Sequence, residues 1–267
     1  MGRSITRPVA EATQGAKGPG WEVRWRAGAL RHRAGGDERQ MEWAVGSGNE
    51  GKSYLYAVGD ALFQSPLAWY RRRAAWDLSP GYQPGQLDFT RPITADCLFC
   101  HAGESRAIPG TVNRYEPLAS PSITCERCHG DGGAHIRQPG RANIVNPAKL
   151  DRVRRDSVCE QCHLSGAARV PLPGKRFADF RPGMALEEVF SVYVGGAAKG
   201  LKVVSHVERL ALSRCAQASG GRLWCASCHD PHGQDRVRET CQGCHENTRE
   251  HGGPDCAGCH MPRTNAY

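Results

Sequence analysis

Cys225-Ala-Ser-Cys228-His229, Cys241-Gln-Gly-Cys244-His245 and Cys256-Ala-Gly-Cys259-His260 place three copies of one pattern, Cys-x-x-Cys-His, within residues 225–260. Upstream the pattern recurs as Cys97-Leu-Phe-Cys100-His101, Cys125-Glu-Arg-Cys128-His129 and Cys159-Glu-Gln-Cys162-His163. The six copies take up all but one of the 13 cysteines in the 267-residue chain. A shuffled chain of this composition would show about 0.03 such motifs, so cysteine richness alone does not produce them.

The spacing has a chemical meaning. Two thiols three positions apart can bond the two vinyl groups on one edge of a porphyrin, and the adjacent imidazole then sits under the ring with a nitrogen aimed at the iron. The pattern therefore implies six haem c groups, held through Cys97, Cys100, Cys125, Cys128, Cys159, Cys162, Cys225, Cys228, Cys241, Cys244, Cys256 and Cys259. His101, His129, His163, His229, His245 and His260 are the proximal ligands. A zinc ribbon also uses Cys-x-x-Cys pairs, but it does not need a histidine directly after every second cysteine. A disulfide framework gives that histidine no role.

Composition agrees with a cofactor-filled interior. Hydrophobic residues make up 39% of the chain, against 32 Gly and 17 Pro, and the mean hydropathy is −0.54. That is lean for a core of aliphatic side chains. The last three motifs share too little chain to wrap three macrocycles separately, so their haems are expected to cover one another and supply the missing apolar mass.

The formal charge is +8, with Arg making up 29 of the 35 basic residues. A basic balance can signal nucleic acid, but the propionates of six haems would bring the total to about −4, and Arg forks pair well with carboxylates. Redox proteins, either other cytochromes or quinol-linked donors, are the expected partners, with no nucleic acid. No stretch has the length of a membrane span, and the first residues contain no apolar signal-peptide core. Haem is attached outside the bacterial cytoplasm, so a periplasmic or extracellular location is expected, and Met1 is expected not to be the true start.

Subtracting the six motif histidines from the 11 in the chain leaves His32, His135, His206, His232 and His251 as candidate second ligands. Five cannot serve six irons, so at least one iron takes another group. His135, His232 and His251 lie close to motifs, His206 heads an expected helix, and His32 is remote. Met261, next to His260, is poorly placed to reach the opposite face of its own haem. The leftover Cys215 reads as a buried thiol.

Along the chain, residues 1–20 suggest an extended arm, and the alternation in Glu22-Val-Arg-Trp-Arg26 suggests a strand. A turn at Ala34-Gly35-Gly36-Asp37 then leads to Met41–Val45. Residues 61–92, with Phe63, Trp69, Tyr70, Trp76, Tyr82 and Phe89 among Pro and Gly, read as loops that pack aromatics. Helices are expected over roughly 184–194 and 204–218. The resulting expectation is a multihaem cytochrome fold of mainly irregular loops and short α-helices wrapped around stacked haems. A small β-hairpin or meander lies near the N-terminus. Residues 1–92 form an N-terminal arm and small β-containing region, and 93–267 a six-haem domain.

Several strings carry a family likeness. They are Gly46-Ser-Gly48 with Ser53-Tyr-Leu55, Leu62-Phe-Gln-Ser-Pro66 with Trp69-Tyr70, Trp76-Asp-Leu-Ser-Pro-Gly81, Arg91-Pro-Ile93 and Asn113-Arg-Tyr115. Further on come Ile144-Val-Asn-Pro147, Ser213-Arg-Cys215, Cys228-His-Asp-Pro-His232 and Cys259-His-Met-Pro262. With the motifs, these strings resemble the multihaem cytochromes of the cytochrome c554-like group, in particular large bacterial members often fused to tetratricopeptide repeats. The resemblance implies electron transfer in the periplasm or at the cell surface and names no substrate. Relatives tend to carry a further motif upstream of a string like Met1-Gly-Arg-Ser4 and histidines after the final motif, both missing here. Three functions stay open on the sequence. The first is an electron carrier, the second a multihaem enzyme acting on a small nitrogen or sulfur compound at an open iron, and the third a zinc-binding interaction module.

Overall fold

The computed structural model describes residues 4–9, 15–118, 121–140, 143–194, 206–233, 237–245 and 256. The chain divides into two compact units, Met1–Arg127 and Cys128–Tyr267, and each is described by itself.

The first unit is built from β-sheet. Strands β1 (Ile5–Thr6), β2 (Ala16–Gly18), β3 (Trp21–Arg26), β4 (Ala29–Ala34), β5 (Asp37–Gln40), β6 (Trp43–Val45), β7 (Gly51–Val58), β8 (Ala61–Tyr70) and β9 (Ala75–Leu78) precede the first helix, α1 (Ala95–His101). They form a four-stranded antiparallel meander, β2-β3-β4-β5, and a five-stranded antiparallel sheet, β1-β6-β7-β8-β9. Two-residue turns set the meander's register. Arg26 pairs with Ala29 across Ala27-Gly28, and Ala34 pairs with Asp37 across Gly35-Gly36. All four turn residues have positive φ, the left-handed pair that matches strand twist and that glycine adopts at least cost.

Alternation along the strands feeds two apolar clusters. Val23, Leu30, Ala34, Met41, Ala44, Tyr54, Tyr56, Leu67, Trp76 and Phe89 form the first. Ile5, Leu55, Leu62, Ile93, Leu98, Ala102 and Tyr115 form the second. Pro66 lies inside β8 without breaking the sheet because the β7–β8 register shifts between Ser53 and Leu55. A bulge tolerates a residue that lacks an N–H. Ser79 N–H donates to the Pro66 carbonyl at 2.7 Å, and Leu67 N–H donates to Ser65 Oγ at 3.1 Å.

The second unit has α3 (Gly133–Arg137), α4 (Arg152–His163), α5 (His206–Leu212), α6 (Arg214–Ala218) and α7 (Val237–Gln242). It also holds a two-stranded antiparallel ribbon, β10 (Ala168–Pro171) with β11 (Phe190–Tyr193). The short helix α2 (Glu126–His129) spans the division between the units. Asp151 caps α4 by accepting from Arg154 N–H, and Ser213 caps α6 by accepting from Ala216 N–H.

These findings overturn the expected fold. Irregular loops and short helices wrapped around stacked haems, with β-structure confined to a small hairpin or meander near the N-terminus, do not describe the chain. The described residues form three antiparallel sheets, and the longest helix, α4, has 12 residues. Residues 61–92 include the ten-residue β8 and β9, whose aromatics fill a sheet interior. The expected helix over 184–194 is a 3-10 turn at Leu186–Glu188 followed by β11. The expected helix over 204–218 breaks at Ser213 into α5 and α6. In each case β-branched and aromatic residues, or a capping serine, outweigh the helical or loop-like composition around them.

Candidate functional site

The first motif shows how the pattern is presented. At about 100° per residue, Cys97, Cys100 and His101 fall within an arc of roughly 100° on α1, and the two intervening residues point the other way. Those two, Leu98 and Phe99, are buried and hold the helix while the sulfurs and imidazole face outward. Residues N-terminal to α1 are tied to β8, with Ile93 N–H donating to the Leu62 carbonyl at 3.0 Å. Tyr115 Oη donates to the Ile93 carbonyl at 2.7 Å. Arg127, inside the second motif, donates to the carbonyls of Ala102 (3.1 Å) and Gly103 (2.8 Å) just past α1. Its guanidinium also lies 5.0 Å from the Phe99 ring centre. A cation there complements the negative end of the helix. Desolvation holds the His101 imidazole below its ordinary value, with Asp96 pulling weakly the other way. A neutral ring is the form that ligates metal.

The second motif ends on α2. His129 Nδ1 lies 2.7 Å from the Val145 carbonyl oxygen, a contact that requires a proton on Nδ1. Nε2 is thereby left as the bare, ligating nitrogen, the arrangement that orients metal-bound histidines. His135, on α3, repeats it with Nδ1 at 3.2 Å from the Gly140 carbonyl.

The third motif closes α4, with Gln161 buried and donating through Nε2 to the Val158 carbonyl at 2.8 Å. The fourth motif is brought against it. Arg155 lies 4.8 Å over the Trp224 ring, and the Cys159 and Cys225 thiols share a hydrogen bond that raises the first and lowers the second. Burial pushes up the Cys228 thiol, with smaller contributions from Cys241, Cys215, Cys244 and Cys225. Burial also raises Cys241, which senses Cys256 and Cys215. Cys215, expected to be buried, is exposed. The described cysteines form no disulfide with one another.

The candidate second ligands separate. His232 faces His129, with ring centres 5.7 Å apart and planes 21° apart. His206 faces His163 at 5.1 Å and 88°. Glu208 helps place His206 by accepting from Gly166 N–H, just beyond the third motif, at 2.9 Å. Burial, then the charges of His229 and Arg209, hold His206 below the ordinary imidazole value, against Glu208. His32 is instead completely enclosed in the first apolar cluster. Its Nδ1 is 2.7 Å from Ser65 Oγ, and its ring is edge-on to Tyr54 and Trp76 at 5.0 and 5.1 Å. None of these partners belongs to a motif. His251, Cys259, His260 and Met261 lie outside the described residues.

The sequence reading missed the Val145 and Gly140 carbonyls, which are backbone groups without a side-chain signature, and the role of Leu98 and Phe99. The apolar pair was visible as the one motif whose middle positions are both large and hydrophobic.

Among the described residues a bare chelate site is not formed. Among the described residues no three His, Cys, Asp or Glu side chains converge as a metal site, whereas a zinc ribbon needs four ligands around one point. The residues fit haem better. Haem needs a thiol pair and an imidazole on one side, and it brings its own equatorial nitrogens. The described residues of the second unit enclose few apolar side chains. Its buried apolar side chains among the described residues are Val158, Phe180, Leu186, Val189 and Phe190, while Ile136 and Leu212 are 79% and 78% exposed.

No family model matches the chain, and no curated protein matches it. Among solved structures it is similar to the crystal structure of outer cell wall cytochrome OcwA, at 20% identity and a TM-score of 0.42. That match covers 57% of this chain and 33% of the OcwA chain, so the chain spans about a third of its length. No helix among the described residues is long and apolar enough to cross a membrane.

Proposed function

We propose that the chain is an extracytoplasmic electron-transfer protein carrying six covalent haem c groups, one at each Cys-x-x-Cys-His motif. When bound, haem supplies the one-electron couple of its iron. The chain's residues do the rest. Each motif's two thiols would hold the vinyl edge of a haem as thioethers. The following histidine would present a nitrogen to the iron, and the second unit would enclose the macrocycles of the motifs that lie within it. Other cytochromes or quinol-linked donors are the proposed partners.

The observation that carries this reading is that, among the described residues of the second unit, few apolar side chains are enclosed, in the unit that holds most of the motif sulfurs. Burial of apolar area is the main favourable term in folding, at about 25 cal/mol per Å². Described residues that enclose so few apolar side chains leave a place for a large apolar group from elsewhere, as small metalloproteins draw folding energy from their metal. The test is the intact mass of the chain after export in a host with the c-type maturation machinery. A mass increment of six haems and a ferrous α-band of c type are expected. An unmodified mass from a properly exported chain would refute the proposal.

A further inference from the structure

We propose that His232 and His206 are the second axial imidazoles for the irons held by the second and third motifs, opposite His129 and His163 respectively. The proposal rests on the haem reading and goes beyond it by assigning partners and ring orientations.

Two imidazoles bound through nitrogen on opposite sides of one metal, each at about 2 Å, have ring centres about 6.3 Å apart, so each pair would have to part by roughly 0.6 to 1.2 Å to take an iron. The observed separations are 5.7 Å for His129 and His232 and 5.1 Å for His163 and His206. Ordinary aromatic packing covers the same range of distances, so distance alone does not decide. The pattern of partners does. Among the described residues each of these contacts joins one motif histidine to one histidine outside a motif, which is what axial ligation requires.

Local structure fixes the rings in the needed state. The His129 Nδ1–Val145 contact commits Nε2 to ligation. Asp230 Oδ1 accepts from His232 N–H at 2.9 Å, holding the turn that carries this ring back from the fourth motif. Gly166 N–H on Glu208 holds the start of α5 beside the end of α4.

The assignment also orders the haems. His232 lies three residues beyond His229, a reach of about 10 Å at most, so a ligand to the second-motif iron is tethered to the fourth motif. Arg155, on the helix that ends in the third motif, lies 4.8 Å over the ring of Trp224, the residue before the fourth. The second, third and fourth motifs then form one continuous electron path with the fourth in the middle.

The ring planes make the proposal testable. Near-parallel axial imidazoles give ferric haem a rhombic low-spin EPR signal, and near-perpendicular ones give a highly anisotropic low-spin signal. His129–His232, at 21°, predicts the first and His163–His206, at 88°, the second. The experiment is low-temperature EPR on the holoprotein and on His232→Ala and His206→Ala, with haem counted by intact mass.

Haem is held by cysteine, so the count should stay at the wild-type value. His232→Ala should lose one iron equivalent of rhombic signal and gain one of high-spin. His206→Ala should lose one iron equivalent of the anisotropic signal, and added imidazole should restore low spin in both. Unchanged spectra at full loading, or the two losses interchanged, would overturn the assignment. If an alanine variant does not accumulate, His232→Met or His206→Met decides. One iron equivalent of methionine-to-iron near-infrared absorption supports the assignment, and its absence overturns it. A wild type without haem would instead sink the underlying functional reading, so the two failures are distinguishable.

Discussion

Acid should open the β-sheet unit through His32, and the effect can be sized. Leu67 N–H already donates to Ser65 Oγ at 3.1 Å, which leaves the Ser65 hydroxyl proton to meet His32 Nδ1 at 2.7 Å. The ring proton is then on Nε2, enclosed among Tyr54, Trp76 and the surrounding apolar side chains, with no hydrogen-bond partner among the described residues. A second proton would put a charge in that interior. Desolvation accordingly pushes the pKa from 6.5 down to about 3.

The sign follows from linkage. Below pH 6.5 the unfolded chain takes up a proton at this histidine and the folded chain does not. The contribution is fully present above 6.5 and is lost as pH falls toward about 3. Each pH unit in that window removes about 1.4 kcal/mol, so pH 4.5 costs about 2.7 kcal/mol relative to neutral pH, approaching roughly 5 kcal/mol near pH 3.

Other acid-sensitive groups titrate too, so the measurement is a difference between wild type and His32→Gln. Hydrogen exchange by mass spectrometry on the intact protein reads the opening free energy of peptides covering β4 and β8. After correction for intrinsic rates, the wild type should lose about 2.7 kcal/mol more protection than His32→Gln between pH 7 and pH 4.5. Parallel losses in the two proteins would refute the reasoning, whatever their difference at pH 7.

Ser65→Ala removes both the acceptor for Leu67 N–H and the partner of His32 Nδ1 in an enclosed site. It should cost about 2–4 kcal/mol by the same exchange measurement at neutral pH. Leu98→Ala, at a position 1% exposed, should destabilise the first unit by about 2–5 kcal/mol in denaturant unfolding. Haem mass should be unchanged, because attachment is covalent. With His32 enclosed, His135, His206, His232 and His251 are this chain's remaining candidates for second ligands to six irons. At least two irons should therefore bind CO when reduced or show a sixth ligand other than an imidazole. Five bis-imidazole irons in the isolated chain would contradict the placement of His32, since they need all five histidines outside the motifs.

The parts of the fold that were legible depend on neighbours in sequence. Strand β3 is visible in the alternation of Trp21–Arg26, and the turn at Gly35-Gly36 in the two glycines between strands. Strand β8 was hidden because Pro66 argues against a strand unless a bulge accommodates it, and the bulge exists only once β7 is alongside. The hinge between α5 and α6 was legible in principle, since Ser213 is a good cap, but the polar-apolar rhythm on either side runs through it. Strand β11 offered Phe190, Val192 and Tyr193, a β-like set. Four residues are too few for alternation to outweigh a helical reading of the flanking Leu186-Glu-Glu188.

The same division runs through the site. A Cys-x-x-Cys-His motif is legible because the chemistry it serves is local. One turn of chain must present two sulfurs and one nitrogen to a single macrocycle, so the spacing carries the meaning. The second ligand has no such constraint. His232 lies close behind one motif yet faces the histidine of another, because the Asp230 turn carries the ring away from its own motif. His32 was admitted as a candidate on residue type alone. What removes it is a serine presented by the β8 bulge and an aromatic wall from β7 and β9, long-range contacts that no spacing rule encodes. The arithmetic of irons and imidazoles therefore tightens only when the fold is known. On the proposed six-haem reading, the deficit it leaves marks the irons that would either open to a small ligand or recruit a different side chain.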